Sequence, residues 1–251
     1  MRLRSTAGAN PLLAEVADLH PRPRGEDASQ TGLGLLAGGD GRVDPLVAAA
    51  FDSDDPYVAK VRQVRAKLLA TAREGSGAQG RLRLAVLSLQ GGDEASILAA
   101  NLGVVLAQMD GPTILIDADI ERPSLDRLLR LPNRVGLAEQ LAGTALRLPV
   151  TPAAVDRLWL MPAGQGAGGA ASLVEKGALA DAAEGWNLPE ANLLVYLAER
   201  PRGRTAFGNM LEKFDAVALV ARRGVTPVAE MRRVIDELDR HKIPIAGSVM
   251  S

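Results

Sequence analysis

The stretch that decides the fold is Leu82-Arg83-Leu84-Ala85-Val86-Leu87-Ser88-Leu89-Gln90-Gly91-Gly92-Asp93-Glu94-Ala95-Ser96-Ile97-Leu98-Ala99-Ala100-Asn101-Leu102, continued by Val104-Val105-Leu106-Ala107-Gln108-Met109 and, past Gly111-Pro112, by Thr113-Ile114-Leu115-Ile116-Asp117. Leu82 to Ser88 is a short apolar run ending near a glycine pair, which predicts a strand and then a turn. From Ser96 to Met109 the residues Leu98, Leu102, Val105 and Leu106 recur at helical spacing, and Gly111-Pro112 stops that helix. Thr113 to Ile116 is apolar again. Strand, helix and strand within about 35 residues form a βαβ unit, whose strands lie parallel with a right-handed crossover.

The alternation continues on both sides. Downstream, strands are expected near Arg157–Met161, Asn192–Leu197, Ala216–Ala221 and Ile245–Met250, and helices near Ser124–Arg130, Ala138–Ala142, Ser172–Ala183, Thr205–Lys213 and Thr226–His241. Upstream, Val58, Val61, Val64, Leu68 and Leu69 predict a helix up to about Arg73, capped by Asp54 or Asp55. Runs such as Leu193-Leu194-Val195 and Val217-Ala218-Leu219-Val220 are apolar at every position, as strands covered on both faces are. The expectation is a doubly wound, mostly parallel α/β sheet over residues 51–251. Residues 1–50 are rich in Gly, Pro, Arg and Asp and read as a flexible tail, with Pro11 to Leu19 as one short amphipathic candidate.

Composition narrows the chemistry. Among 251 residues, 47% are hydrophobic and 24% charged, and the net charge is −1. So balanced a charge gives no field to hold nucleic acid or an acidic membrane. There is no cysteine, which removes disulfides and thiolate metal sites. The two histidines, His20 and His241, have no ligand-like spacing, so no metal site is expected. No apolar run reaches the roughly 20 residues that cross a bilayer, and no hydrophobic block follows the basic start. A cytoplasmic protein is expected, without direct membrane insertion. With two Trp, two Tyr and three Phe, the core must be aliphatic, and Trp159 and Trp186 read as packing residues.

In parallel α/β folds ligands sit at the carboxyl ends of strands, first of all in the loop after the first strand. A phosphate cradle there needs inward backbone N–H groups, glycines where a Cβ would clash, and a lysine. Gly91 and Gly92 retain the turn, and Ser96 stands where a magnesium-facing hydroxyl belongs. The lysine position holds Ala95, and Asp93 and Glu94 precede it. A carboxylate about 4 Å from a phosphate repels it by roughly 1 kcal/mol in water and by several times that in a shielded cleft. A lost charge-assisted contact costs about 1.5–3 kcal/mol more. The loop reads as a vestige of a phosphate cradle.

The strand Leu84–Ser88, this loop, the run Ala99–Gln108, and above all Ile114-Leu115-Ile116-Asp117-Ala118-Asp119-Ile120-Glu121-Arg122-Pro123-Ser124-Leu125 with Leu131-Pro132-Asn133-Arg134-Val135-Gly136-Leu137 and Leu141-Ala142-Gly143 resemble the bacterial tyrosine kinases of capsule and exopolysaccharide biosynthesis, the cytoplasmic domains of polysaccharide co-polymerases. Leu160–Gly164, Phe214–Val217 and Ile243–Met250 extend the resemblance over nearly all of residues 55–251. It implies a P-loop NTPase-like fold. It also implies that Asp117 and Asp119 mark the vestigial metal-facing motif with Arg122 beside them, Glu121 standing where that family has arginine. The third acidic motif, an Asp before Thr-Pro-Pro, falls near Val195–Pro201, where Glu199 is the one carboxylate. Arg62 and Arg65 match two of three positions in a ring-forming helix motif and become candidate oligomer contacts, although Ala59 replaces its glutamate. No tyrosine-rich tail precedes Ser251.

Lysine, third acid and substrate tail fail together, so the expectation is a degenerate member: a pseudoenzyme with no catalytic residue and no cofactor. It is expected to bind a membrane polysaccharide co-polymerase or a kinase paralogue, with homo-oligomer formation open and no nucleic acid. Two alternatives stand beside it. One is an unconventional ATPase or tyrosine autokinase of the same pathway, using Ser96, Asp117, Asp119 and Glu199 with Arg122 as the cation and binding ATP or ADP weakly with magnesium. The other is a degenerate relative of the ParA and MinD positioning ATPases, whose additional lysine falls at Gln90. Bland roles compete at each position: capping for Asp117 and Asp119, a plain turn for Gly91-Gly92, and a solvated helix face for Arg62 and Arg65.

Overall fold

The structure, a computed structural model, describes residues 34–76, 81–166, 191–198 and 211–250. Its strands are β1 (Arg83–Ser88), β2 (Thr113–Asp117), β3 (Thr151–Pro152), β4 (Leu158–Met161), β5 (Asn192–Ala198), β6 (Ala216–Ala221) and β7 (Ile245–Met250). Its α-helices are α1 (Pro56–Ser76), α2 (Asp93–Met109), α3 (Leu125–Leu128), α4 (Leu137–Leu141) and α5 (Val228–Arg240). The strands form one sheet in the order β3-β4-β2-β5-β1-β6-β7. Every pairing is parallel except the short one between β3 and β4. The order runs outward from β1 in both directions, which is the doubly wound arrangement with its crevice at the carboxyl end of β1.

Alternation along each strand divides two apolar layers. Leu84, Val86, Leu115, Leu194 and Ala218 face α1 and α2, against Val58, Val61, Leu68, Leu98, Leu102 and Val105. Ala85, Leu87, Ile114, Ile116, Leu193, Val195, Val217 and Leu219 face the other way, against Leu137 of α4 and Val234 and Leu238 of α5. Both sides of the central strands are therefore dry, and this is why their sequences lack polar interruptions. Trp159 is buried in the second layer, in line with its packing role.

Several expectations need correction. The boundary at residue 50 lies too far along the chain, because Val43, Val47, Ala49 and Ala50 are buried in the first layer. This segment has no periodicity to announce it. Its anchor is Asn101, whose Oδ1 accepts from the Ala49 N–H (2.9 Å) and whose Nδ2 donates to the carbonyls of Leu46 (2.9 Å) and Ile97 (2.8 Å). Helix α2 begins at Asp93 rather than Ser96, with Gly92 as its N-cap, because acidic residues in a first turn favour the helix dipole. The segment Ser124–Arg130 contracts to the single turn of α3. Strand β3, two residues long, carries too little pattern to be read in advance. Residues 1–33, Ser172–Ala183, Trp186 and most of Thr205–Lys213 lie outside the described residues.

Candidate functional site

Helix α2 rises from the carboxyl end of β1 through the loop Leu89–Gly92. The Leu89 N–H donates to the carbonyl of Val220 on β6 (3.0 Å), and Gln90 Nε2 donates to Glu230 Oε2 of α5 (2.5 Å). Gly91 and Gly92 have φ of +65° and +106°. Two consecutive residues in that region demand glycine, so the pair is explained by backbone geometry. Crowding acts in the same direction. A Cβ on Gly91 would lie 3.2 Å from Arg122 Nη2, and one on Gly92 would lie 2.9 Å from Glu94 Oε2.

The charges around this turn belong to the chain itself. Glu94 Oε1 faces Arg222 Nη2 at 3.7 Å, with the two side chains 46% and 41% exposed. At that exposure the pair is worth a fraction of a kcal/mol in stability, yet it fixes which charges line the loop. Ala95, at the lysine position, is buried in the apolar layer. The Ser96 hydroxyl is buried as well and donates back to the Asp93 carbonyl (2.9 Å), so it is used as a helix-end hydrogen bond.

The second acidic motif is structural in the same way. Asp117 is fully buried: Oδ1 accepts from the Asp119 N–H (3.1 Å) and Oδ2 from the N–H groups of Ser124 (2.9 Å) and Leu125 (3.0 Å). One carboxylate thus shapes the whole turn from β2 into α3. Burial pushes its pKa up to about 7, against the three amides, which favour the charged form. Asp119 Oδ1 accepts from the Arg122 N–H (3.1 Å), which closes the same turn. At the carboxyl end of β5, Tyr196 sits directly opposite Asp117 in the register. It is buried, and burial, with the nearby carboxylates of Asp119, Asp117 and Asp93, holds its phenol above the usual range. The described part of β5, Asn192–Ala198, carries no carboxylate, and Glu199 lies outside the described residues.

Arg62 and Arg65 do not form a solvated face. Arg65 makes a two-armed ion pair with Asp110, Nε to Oδ2 at 2.5 Å and Nη2 to Oδ1 at 2.7 Å, joining α1 to the end of α2. Arg62 Nη1 donates to the Ser53 carbonyl (2.8 Å). Both guanidiniums have partners within the chain.

The fold implies a nucleotide and magnesium at this crevice, and the residues do not fit them. The lysine position is apolar and buried, Asp117 has three N–H donors of its own, and Glu94 presents a carboxylate at the mouth of the loop. Two participants escaped the sequence reading. Arg222 lies just past the apolar strand Ala216–Ala221, at the same carboxyl edge as the loop, and that position was its only signal. Tyr196 looks like an ordinary strand residue until the register places it beside Asp117.

No known family profile matches the chain. Over 92 residues, 37% of the chain, it is 35% identical to the succinoglycan biosynthesis transport protein ExoP of Rhizobium meliloti (strain 1021), and the match spans 12% of that protein's length. Among solved structures, the kinase domain of the Escherichia coli tyrosine kinase ETK superposes with a TM-score of 0.67 at 19% identity, covering 84% of this chain and 80% of that one. The BceF tyrosine kinase domain superposes at 0.66 with 24% identity, covering 81% of each. The chain has the fold of these kinase domains. The resemblance to bacterial tyrosine kinases of exopolysaccharide biosynthesis is met by both kinds of relative.

Proposed function

We propose that the chain is a non-catalytic accessory or regulatory protein of exopolysaccharide biosynthesis or export, acting by binding a membrane polysaccharide co-polymerase or a kinase paralogue. One observation carries this reading. In the loop that would hold phosphates, Ala95 stands at the lysine position and the facing cation, Arg222, is paired with the chain's own Glu94. An incoming phosphate would have to displace Glu94 and then sit beside it. With Glu94 about half exposed, that repulsion is about 1 kcal/mol, and with the lost lysine contact, about 1.5–3 kcal/mol, it removes roughly a hundredfold from affinity. A domain that loses this function can keep its core and its surfaces. The ExoP similarity supports the pathway, and the kinase-domain fold supports a surface suited to such partners.

A second reading has its own observation. The guanidiniums of Arg122 and Arg222 flank Gly91 and Gly92, so two cations are present near the turn even without a lysine. On that reading the chain binds ATP or ADP weakly with magnesium. Calorimetric titration of the purified chain with ATP and ADP, with and without magnesium, separates the two. No heat at millimolar nucleotide is expected; micromolar binding would reverse the order of the readings.

A further inference from the structure

We propose that the groove between α1 and β7 receives an extended, carboxylate-bearing segment of a partner protein, which adds to β7 as a further strand. The proposal names the docking surface for the role above and rests on that reading.

Strand β7 ends the sheet, and its outer edge has no neighbour among the described residues. Unpaired edges usually carry charge, proline or strong irregularity to prevent strand addition. Ile245-Ala246-Gly247-Ser248-Val249-Met250 carries no charge and no proline. Its irregularity is confined to its first half, an extra residue, Ala246, between the pairs Val217 with Ile245 and Ala218 with Gly247, and a φ of +141° at Gly247; from Gly247 to Met250 the register is continuous. A backbone edge of this kind offers main-chain hydrogen bonds to an extended peptide.

Next to that edge, reaching in over β6, lies a groove of about 200 Å³, walled by Lys60, Gln63, Val64 and Lys67 of α1 and floored by Ala218 of β6 and residues 246–249 of β7. The space exists because Gly247 brings no side chain: a Cβ built there meets nothing within 4 Å. Lys60 and Lys67 are exposed and lie about 10.5 Å apart along the helix axis. Neither has an ion-pair partner among the described residues, whereas Arg65 on the same helix is held by Asp110. The wall of the groove is therefore basic, and its floor is apolar apart from Ser248.

Charge decides the occupant. Antiparallel pairing of β7 with a second copy of itself turns the same sheet face outward in both molecules and brings two α1 helices together. Lys60 and Lys67 of each copy then crowd one another. An acidic segment meets the same lysines favourably, and such complementarity selects partners.

The test uses the full 251-residue chain, isotope-labelled for amide NMR, with two end-blocked synthetic octapeptides, (Val-Glu)4 and (Val-Lys)4. Saturable shifts at Gly247–Met250 are expected with the glutamate peptide and none with the lysine peptide. Lys60→Glu/Lys67→Glu, exposed positions whose circular dichroism should match the parent, is expected to weaken binding at least tenfold. Ser248→Pro, which removes an edge N–H, is a second, charge-neutral block. Absence of shifts at β7 with millimolar peptide, equal binding of both peptides, or indifference to the charge reversal would overturn the proposal. So would a β7-mediated dimer in sedimentation. Changes at β7 in an otherwise unliganded Glu15→Lys/Asp18→Lys chain would also overturn it, by showing that the chain's own amino-terminal segment fills the groove. Nucleotide titration of the same sample is independent: heat from ATP would sink the non-catalytic reading while leaving the groove result standing.

Discussion

Glu94 and Arg222 meet across the first loop of the sheet, carboxylate to guanidinium at 3.7 Å, in the place where a phosphate-binding loop needs its cation free. They come from the carboxyl ends of neighbouring strands, one from the first turn of α2 after β1 and the other from just beyond β6. Neither Gly91 nor Gly92 is altered by this arrangement, so the turn persists although its electrostatics are reversed.

Reversing that charge should restore anion affinity in steps. Ala95→Lys alone places a cation beside Glu94, which neutralises it, so little gain in phosphate or ATP binding is expected. Glu94→Gly with Ala95→Lys also releases Arg222, and affinity should rise at least tenfold over the single variant. Calorimetry on both variants checks this. Equal affinities for the two would mean that Glu94 does not govern the loop.

Asp117 should make folding pH-dependent. Its carboxyl has a folded pKa of about 7, above the value of 3.8 for an unburied group. Between those values the unfolded chain has released a proton that the folded chain keeps. Stability from this group is complete below about pH 4 and is lost as pH rises to about 7, by about 4 kcal/mol in all. Urea midpoints should fall from pH 5 to pH 8. Asp117→Asn should flatten that slope and lower stability at pH 5 by about 1–3 kcal/mol, since it loses an acceptor for buried amides.

Asn101 is predicted to hold residues 43–50 on the core. Asn101→Leu removes all three of its bonds and leaves the buried Ala49 N–H and the part-buried Leu46 carbonyl without their partner. A loss of about 2–4 kcal/mol is expected in denaturant unfolding. Proteolysis within residues 43–50 should then be faster than in the parent chain, where Val43, Val47, Ala49 and Ala50 are buried.

The Arg65 and Asp110 pair is 17% and 13% exposed, so water screens it little. Arg65→Ala should cost about 1–3 kcal/mol in denaturant unfolding. Because the guanidinium is already satisfied within the chain, sedimentation should show no change in assembly state. A shift from oligomer to monomer in that variant would restore Arg65 as a subunit contact.

Gly136 tests packing without charge. Its added Cβ would lie 2.1 Å from the Pro162 carbonyl oxygen and 2.4 Å from the Gly164 nitrogen, where the chain after β4 crosses the start of α4. Backbone on both sides cannot yield, so Gly136→Ala should cost at least about 3 kcal/mol in thermal or urea unfolding.

How far the sequence reached depended on whether a feature was local. Strands β1, β2, β5 and β6 were legible because each is a continuous apolar run, and α2 because its leucines and valines repeat at one helical period. The glycine turn was legible because Gly91, Gly92 and the carboxylates Asp93 and Glu94 are adjacent in the chain. The packed segment 43–50 was not, since its bonds come from a side chain on α2 more than fifty residues away. Strand β3 was too short to show a period.

The sequence by itself determined the parallel α/β class, the glycine turn and the absence of a lysine at Ala95, because each is written in neighbouring residues whose periodicity or identity suffices. Tertiary structure alone decided what the remaining polar groups do. Asp117 became a three-amide anchor, Arg65 a bridge to Asp110, and Arg222 the partner of Glu94. The physical reason is that hydrogen bonds and ion pairs are short-ranged and directional. Which groups come within 3–4 Å is set by the sheet order and by the strand register, and neither is encoded at any single position.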